Sequence, residues 1–144
     1  MIAGSIFDNV RDNQPVALPP VEFAELVEAL IGVASECEPS AKEHQVCISP
    51  ATYPEGVRRS KNGAISWTWF AADIDNKTGN LPGSTVSDIK EIMGGLGSPW
   101  LIYTTASSQA SAQCFRLMFP LDRAVANAEF DAVWRAFAQL LPMD

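Results

Sequence analysis

The most strongly apolar stretch of the chain is also its best candidate for a buried strand. Residues 64–74 contain Trp67, Trp69 and Phe70, whose side chains favour strands, and glycines flank the stretch on both sides. A short apolar run between turn-forming residues is typical of a strand that is buried on both faces. The pattern therefore predicts a buried strand, around which the other predicted elements are arranged.

Two acidic residues end this strand. Asp73 and Asp75 are two positions apart, so their side chains leave a strand on the same face, about 6–7 Å apart. Carboxylates placed in this way repel each other unless a cation lies between them, and hard divalent cations prefer oxygen ligands. The spacing therefore indicates a metal site, and the alternative is a pair of solvated acids at the start of a loop.

Three other stretches repeat apolar residues at helical spacing, which predicts helices over about residues 20–34, 84–95 and 127–141. Ser84 is the predicted N-cap of the middle helix, and a glycine cluster ends it. Further strands are predicted at residues 2–7, 100–105 and 114–119, the last of them stopped by Pro120. The side chains expected in the core of these helices are Val86, Ile89, Met93, Phe130, Trp134 and Phe137.

The order of these elements predicts the fold class. After residue 62 the chain passes through strand, helix, strand, strand and helix, which is the order of an RRM-like or ferredoxin-like unit without its last strand. We therefore expect an α+β fold in which helices back an antiparallel sheet. The chain is predicted to form a single domain, with residues 1–62 as an N-terminal extension containing one helix and a long loop. Either the N-terminal strand covers the edge of the missing strand, or the chain is a piece of a longer protein.

Composition narrows the function classes. Of the 144 residues, 47% are hydrophobic and 19% are charged, which is typical of a globular domain. The net charge of −7 argues against a protein that coats nucleic acid or membranes nonspecifically. No apolar run approaches the length of a membrane span and no signal peptide begins the chain, so a cytoplasmic protein is expected.

Candidate polar chemistry is sparse outside the acidic pair. The three cysteines lack metal-binding spacing, and His44 is the only histidine. The one dense basic cluster is Arg58-Arg59-Ser60-Lys61. It is a candidate contact for nucleic acid, and the alternative is an ordinary solvated loop.

Three segments together resemble a known family. They are Ala72-Asp-Ile-Asp75, then Ile102-Tyr-Thr-Thr-Ala-Ser-Ser108, then Phe115-Arg-Leu-Met-Phe-Pro-Leu-Asp-Arg123. In this order and at these distances they are similar to the archaeo-eukaryotic primase family, and most similar to the primase-polymerase domains of plasmid and phage replication proteins. The resemblance covers about residues 47–144.

The resemblance implies roles for individual residues. Asp73 and Asp75 fall on the family's first motif, and Met143-Asp144 falls on its third, so Asp73, Asp75 and Asp144 would be the catalytic acids that hold Mg²⁺ or Mn²⁺. The second motif falls on Ala106-Ser107-Ser108, where Ser108 replaces the histidine that contacts the phosphates of the incoming nucleotide. Ser107, Ser108 and Arg116 would then bind nucleotide, and the alternative for Arg116 is a salt bridge to Asp73 or Asp75.

The implied activity is metal-dependent primer synthesis, weakened by Ser108 and by the terminal position of Asp144. The implied partners are nucleoside triphosphates, a single-stranded DNA template contacted by Arg58, Arg59 and Lys61, and a helicase. A non-catalytic relative that binds nucleotide or DNA is the second hypothesis. A phosphatase of the haloacid dehalogenase type is the third, although Lys77 stands where that family usually has threonine.

Overall fold

The computed structural model describes residues 1–36, 45–76, 84–105, 108–109 and 112–141. Seven strands and three helices lie in these ranges. In chain order they are β1 (Ile2–Phe7), β2 (Val16–Val21), α1 (Phe23–Glu36), β3 (Cys47–Ser49), β4 (Ala51–Thr52), β5 (Ser66–Asp75), α2 (Val86–Leu96), β6 (Leu101–Thr104), β7 (Cys114–Ala126) and α3 (Asn127–Ala138).

The strands form two sheets, one ordered β2-β1-β3 and the other β4-β5-β7-β6. The registers of β1 with β2, β1 with β3, β4 with β5 and β6 with β7 are all antiparallel. In the second sheet the last strand, β7, lies between β5 and β6, which is the order of a ferredoxin-like unit. The predicted α+β class with an antiparallel sheet and backing helices is therefore confirmed.

The far side of β5 carries a strand that the sequence did not predict. Ala51 pairs with Trp67 and Thr52 pairs with Ser66, so β4 lies where the closing strand of a ferredoxin-like unit would lie. The predicted first strand, β1, belongs to the other sheet. The short strands β3 and β4 were missed because the proline-punctuated region 35–62 shows no sustained period.

The chain divides into two compact units. Unit 1 comprises Met1–Trp69 and Leu121–Phe130, and unit 2 comprises Phe70–Pro120 and Asp131–Asp144. The division falls inside β5 and inside β7.

In unit 1 the core is built on tryptophans of β5. The ring of Trp67 stacks on Phe130 with 4.0 Å between ring centroids, and Trp69 is buried with its indole N–H donated to the carbonyl of Ala3 at 2.9 Å. The backbones of β1 and β3 approach closely at Gly4, where a Cβ would collide with the carbonyl oxygen of Ser49. These contacts fix β1 against β3 and β5 within this unit.

In unit 2 an aromatic cluster and an apolar helix face form the core. Phe70, Phe119 and Phe137 contact one another with ring centroids 4.8–5.4 Å apart. From α2, Ile89 and Met93 are fully buried, as predicted. A glycine in the left-handed region, Gly97 with φ of 66°, ends this helix.

The predictions for Trp134 and for Pro120 need correction. Trp134 is 38% exposed and is not a core residue. The other predicted core residues that are not fully buried are half-buried: Val86, Phe130 and Phe137. Pro120 does not end the last strand, which continues to Ala126; the pairing with β6 stops at Met118, so the missing N–H of Pro120 costs no bond to that strand.

The N-cap of α2 is Thr85, one residue after the predicted one. Its hydroxyl accepts the backbone N–H of Asp88 at 3.2 Å, and the Asp88 carboxylate accepts the backbone N–H of Thr85 at 2.7 Å. This reciprocal capping box selects Thr85 over Ser84, because only Thr85 has an acidic residue at the position three further on.

Replacing Phe70 by alanine is expected to lower the free energy of unfolding by about 3–5 kcal/mol, because a fully buried ring and two ring contacts are lost. Trp134→Ala is the matched control, since this ring is partly exposed, and should cost less than about 1 kcal/mol. Urea unfolding of both variants measures the two values. Equal losses would show that Trp134 lies in the core after all.

Replacing Asp88 by asparagine tests the cap through its pH dependence. The backbone N–H and then the hydroxyl of Thr85 lower the pKa of Asp88 below its ordinary value of 3.8. A carboxylate with a lowered folded-state pKa contributes stability that is present above the unfolded-state pKa and is lost as pH falls through the folded-state pKa. The wild type should therefore be more stable than Asp88→Asn near neutral pH. This difference in stability should shrink as the pH falls below 3.8.

Urea unfolding over a series of pH values measures this difference, with the exposed Glu91→Gln on the same helix as the control. A difference that stayed constant from neutral pH down to about pH 2 would contradict the assignment of the cap to the carboxylate.

Candidate functional site

Asp73 and Asp75 lie on the exposed face at the end of β5. Ala72 and Ile74, which alternate with them, are buried with 3% and 2% of their surfaces exposed. This alternation turns both carboxylates to the same side, as their spacing predicts. The buried neighbours hold this end of the strand, so the direction of the two acids is set by the packing beneath them.

Arg116 on β7 forms a two-pronged ion pair with Asp73. Its Nε donates to one carboxylate oxygen at 2.6 Å, and its Nη2 donates to the other at 2.8 Å. The remaining arm, Nη1, donates to the hydroxyl of Tyr103 on β6 at 3.2 Å. The hydrogen bonds to Asp73 raise the pKa of Arg116 above its ordinary value, so the guanidinium is a permanent cation. Of the two roles that the sequence left open for Arg116, the salt bridge is the one present in the structure.

Asp75 contacts a cysteine that sequence reasoning did not select. The buried thiol of Cys114, the first residue of β7, donates to Oδ1 of Asp75 at 3.0 Å. Cys114 and Arg116 are two positions apart, so they face Asp75 and Asp73 from the neighbouring strand. That spacing was the available signal, but it points to the acidic pair only when β7 is known to pair with β5.

Cys114 also connects the acidic pair to Ser108. Its backbone N–H donates to the hydroxyl oxygen of Ser108 at 3.0 Å, and the N–H of Ser108 donates to the carbonyl of Thr105 at 2.9 Å. Cys114 therefore links Ser108 to Asp75 through two hydrogen bonds, although Ser108 and Asp75 are far apart in the sequence. Ser107 and Asp144, the other two predicted site residues of this region, lie outside the described residues.

A shallow, open pocket of about 320 Å³ adjoins Ser108. Two amides organise the segments near it. The side-chain amide of Asn76 donates to the carbonyls of Ser84 and Gln113, and Oε1 of Gln113 accepts the backbone N–H of Val86. The end of β5, the start of α2 and the residue before β7 are thereby tied together. The residues that line the pocket are uncharged: Val86, Thr104, Thr105, Ser108, Gln109 and Gln113.

The acidic pair provides suitable donors for a divalent metal but does not form a ready cage. Carboxylate oxygens are the ligands that Mg²⁺ and Mn²⁺ prefer. Within the described ranges, however, no three His, Cys, Asp or Glu residues are grouped as a metal site, and both oxygens of Asp73 accept hydrogens from Arg116. A metal at Asp73 would compete with the guanidinium for these two oxygens.

The basic cluster belongs to unit 1. Arg58, Arg59 and Lys61 are exposed. The guanidinium of Arg59 lies 4.9 Å from the ring centroid of Phe7, and its backbone N–H donates to the carbonyl of Asn13 at 2.8 Å. Aromatic packing thus positions one of the three cations, and the cluster remains accessible to an anionic partner.

No protein-family model, no curated protein and no solved structure matches this chain. Within the part of the chain that the structure describes, the helices are too short or too polar to cross a membrane.

Replacing Ser108 by alanine is expected to accelerate hydrogen exchange at the Cys114 amide by about fivefold, because that N–H loses its hydroxyl acceptor. Exchange measured by NMR, residue by residue, checks this. Ser35→Ala in α1, whose hydroxyl donates to the carbonyl of Gly32, is the control and should leave the Cys114 amide unchanged. Unchanged exchange in Ser108→Ala would mean that Ser108 does not hold the start of β7.

Proposed function

We propose that this chain is a primase-polymerase-like domain that carries out metal-dependent nucleotidyl transfer in DNA replication of a plasmid or phage type. One observation carries the proposal. Ser108 and Asp75, which the family resemblance assigns to two separate motifs, are joined through a single residue, since Cys114 donates its thiol to Asp75 and its N–H to Ser108. The resemblance places these two residues in one site, and their shared contact with Cys114 supports that placement.

The residues of the chain have distinct tasks in this proposal. Asp73 and Asp75, together with Asp144, would hold Mg²⁺ or Mn²⁺, which activates a 3′-hydroxyl and neutralises the leaving pyrophosphate. The oxygen of Ser108 accepts the Cys114 N–H, and its hydroxyl hydrogen would be donated to a phosphate. Ser107 would assist it. A hydroxyl carries no charge, so this contact is weaker than that of the family's histidine.

The proposal also assigns partners. Nucleoside triphosphates are the substrates, and a single-stranded DNA template is contacted by the exposed cations Arg58, Arg59 and Lys61. A helicase would open the duplex, and the cytoplasm is the proposed location. The cation held over Phe7 supports the template contact, because a fixed guanidinium loses less freedom when it binds phosphate.

A second candidate function is binding of nucleotide or DNA without catalysis. The observation that favours it is the ion pair of Arg116 with Asp73. Asp73 is a predicted metal ligand, and in this pair an arginine of the chain takes the place of the metal. The replacement of histidine by Ser108 acts in the same direction. The third hypothesis, a haloacid dehalogenase phosphatase, fits poorly, because the sheet that carries Asp73 and Asp75 is antiparallel and not Rossmann-like.

Titration of Mn²⁺ into isotopically labelled protein tests the proposal at its site. The first resonances to broaden should be those of residues 72–76, 104–105 and 108, and Asp75→Asn should abolish this broadening. Primer extension on single-stranded DNA with Mn²⁺ and all nucleotides should be slow in the wild type and lost in Asp75→Asn. Slow turnover is expected because Ser108 cannot offer a cationic donor to phosphate.

Glu91→Gln is the control, since it removes an exposed acid of α2 outside the site. Binding of Mn²⁺ at these residues without any primer extension would support the non-catalytic candidate. Broadening confined to other acidic positions would exclude the metal-dependent function.

A further inference from the structure

We infer that Arg116 is the resident counter-ion of the acidic pair and that a divalent metal binds there by displacing its guanidinium from Asp73. The inference deepens the proposed function and rests on it. In the metal-free form Asp73 would hold Arg116, and in the metal-loaded form it would hold the metal and leave Arg116 to bind an anion.

The geometry makes a metal ion and the guanidinium compete at Asp73. The guanidinium spans both carboxylate oxygens, at 2.6 and 2.8 Å. A metal ion bound to Asp73 would have to use one of the same oxygens and would lie beside a permanent positive charge. The two cations therefore compete, and the apparent affinity for metal is reduced by the strength of the arginine pair.

The pair is accessible enough to exchange. The side chains of Arg116 and Asp73 are 33% and 55% exposed, so water can solvate both groups when they separate. Arg116 would keep one contact after leaving Asp73, since its Nη1 donates to the hydroxyl of Tyr103 and its guanidinium carbon lies 6.0 Å from that ring's centroid. The released guanidinium would stay near the acidic pair.

A released guanidinium is suited to a phosphate oxygen, which it binds with the same two-pronged geometry as a carboxylate. Metal binding at Asp73 would thus free the cation that recognises a nucleotide's phosphates. In the metal-free site Arg116 would balance the charge of Asp73 and would offer no free guanidinium edge to an anion. The two roles that the sequence allowed for Arg116 then describe two states of one side chain.

The chain contains a matched pair for comparison. Arg123 donates from Nη1 and Nη2 to the two carboxylate oxygens of Glu129, at 3.0 and 2.9 Å. This pair is also partly exposed, and both of its residues belong to unit 1. Removing Arg123 therefore breaks a similar two-pronged ion pair without touching the acidic pair at the end of β5.

The first test measures Mn²⁺ affinity in the full chain by electron paramagnetic resonance. Arg116→Gln should bind Mn²⁺ about tenfold more tightly than the wild type, because no guanidinium has to leave. Arg116→Lys should fall between the two, since lysine keeps the charge but cannot span both oxygens. Arg123→Gln should match the wild type. Thermal unfolding confirms that each variant is folded.

The affinities separate the possible outcomes. If Arg116→Lys binds Mn²⁺ like the wild type while Arg116→Gln binds more tightly, a general charge effect explains the gain and displacement is excluded. If Arg116→Gln binds like the wild type while Asp75→Asn abolishes binding, the inference fails and the proposed metal site stands. If the wild type and every variant fail to bind Mn²⁺, the proposed function fails together with the inference.

The second test uses the unaltered protein and needs no variant to fold. The Nε–H of Arg116, which donates to Asp73, should give a shifted NMR signal that is protected from exchange with water. Adding Mg²⁺ should move this signal toward the position of free arginine, while the Arg123 signal stays in place. A protected Arg116 signal that persists when resonances of Asp75 report bound Mg²⁺ would overturn the displacement.

Discussion

The pairing of β5 with β7 is the constraint on which the candidate site depends. It sets Asp73 against Arg116 and Asp75 against Cys114, in opposite chain directions, as neighbouring antiparallel strands require. The same strands place Phe70 and Phe119 in the aromatic core of unit 2. A shift in register by one residue would turn the acids toward the core and the phenylalanines toward water. Burial of the aromatic rings therefore fixes the register, and the register fixes the contacts of Asp73 and Asp75.

Charge balance at this strand end bears on each of the functional hypotheses. Two carboxylates on one face call for a cation, and the structure meets part of that need with Arg116. This ion pair accounts for Asp73 without any ligand. The proposal of nucleotidyl transfer therefore relies on what lies beside the pair, namely the connection through Cys114 to Ser108 and the uncharged pocket next to it.

Cys114 shows how a residue without a motif can become part of a site. It is buried, and it uses both its thiol and its backbone N–H for contacts that join β5 to the segment after β6. A serine at this position could make the same hydrogen bonds but would fill less volume. The cysteine satisfies the polar contacts while behaving as a small apolar residue in the packed interior.

The sequence by itself determined the elements whose signal is local. The apolar run of β5, the helical spacing of α2 with its buried Ile89 and Met93, and the glycine at the end of that helix were all readable from neighbouring residues. The antiparallel α+β class followed from the order of those elements. The common direction of Asp73 and Asp75 followed from the period of a strand.

Only the tertiary structure decided the features that depend on residues distant in sequence. Pairing with β5 made a strand of Ala51–Thr52, and the end of the β6 ladder before Pro120 allowed β7 to continue. The exposure of Trp134 and the choice of Asp73 as the partner of Arg116 are of the same kind. Spacing along one strand tells which face a side chain occupies, but its partner lies on another strand whose register is set by burial of the whole core.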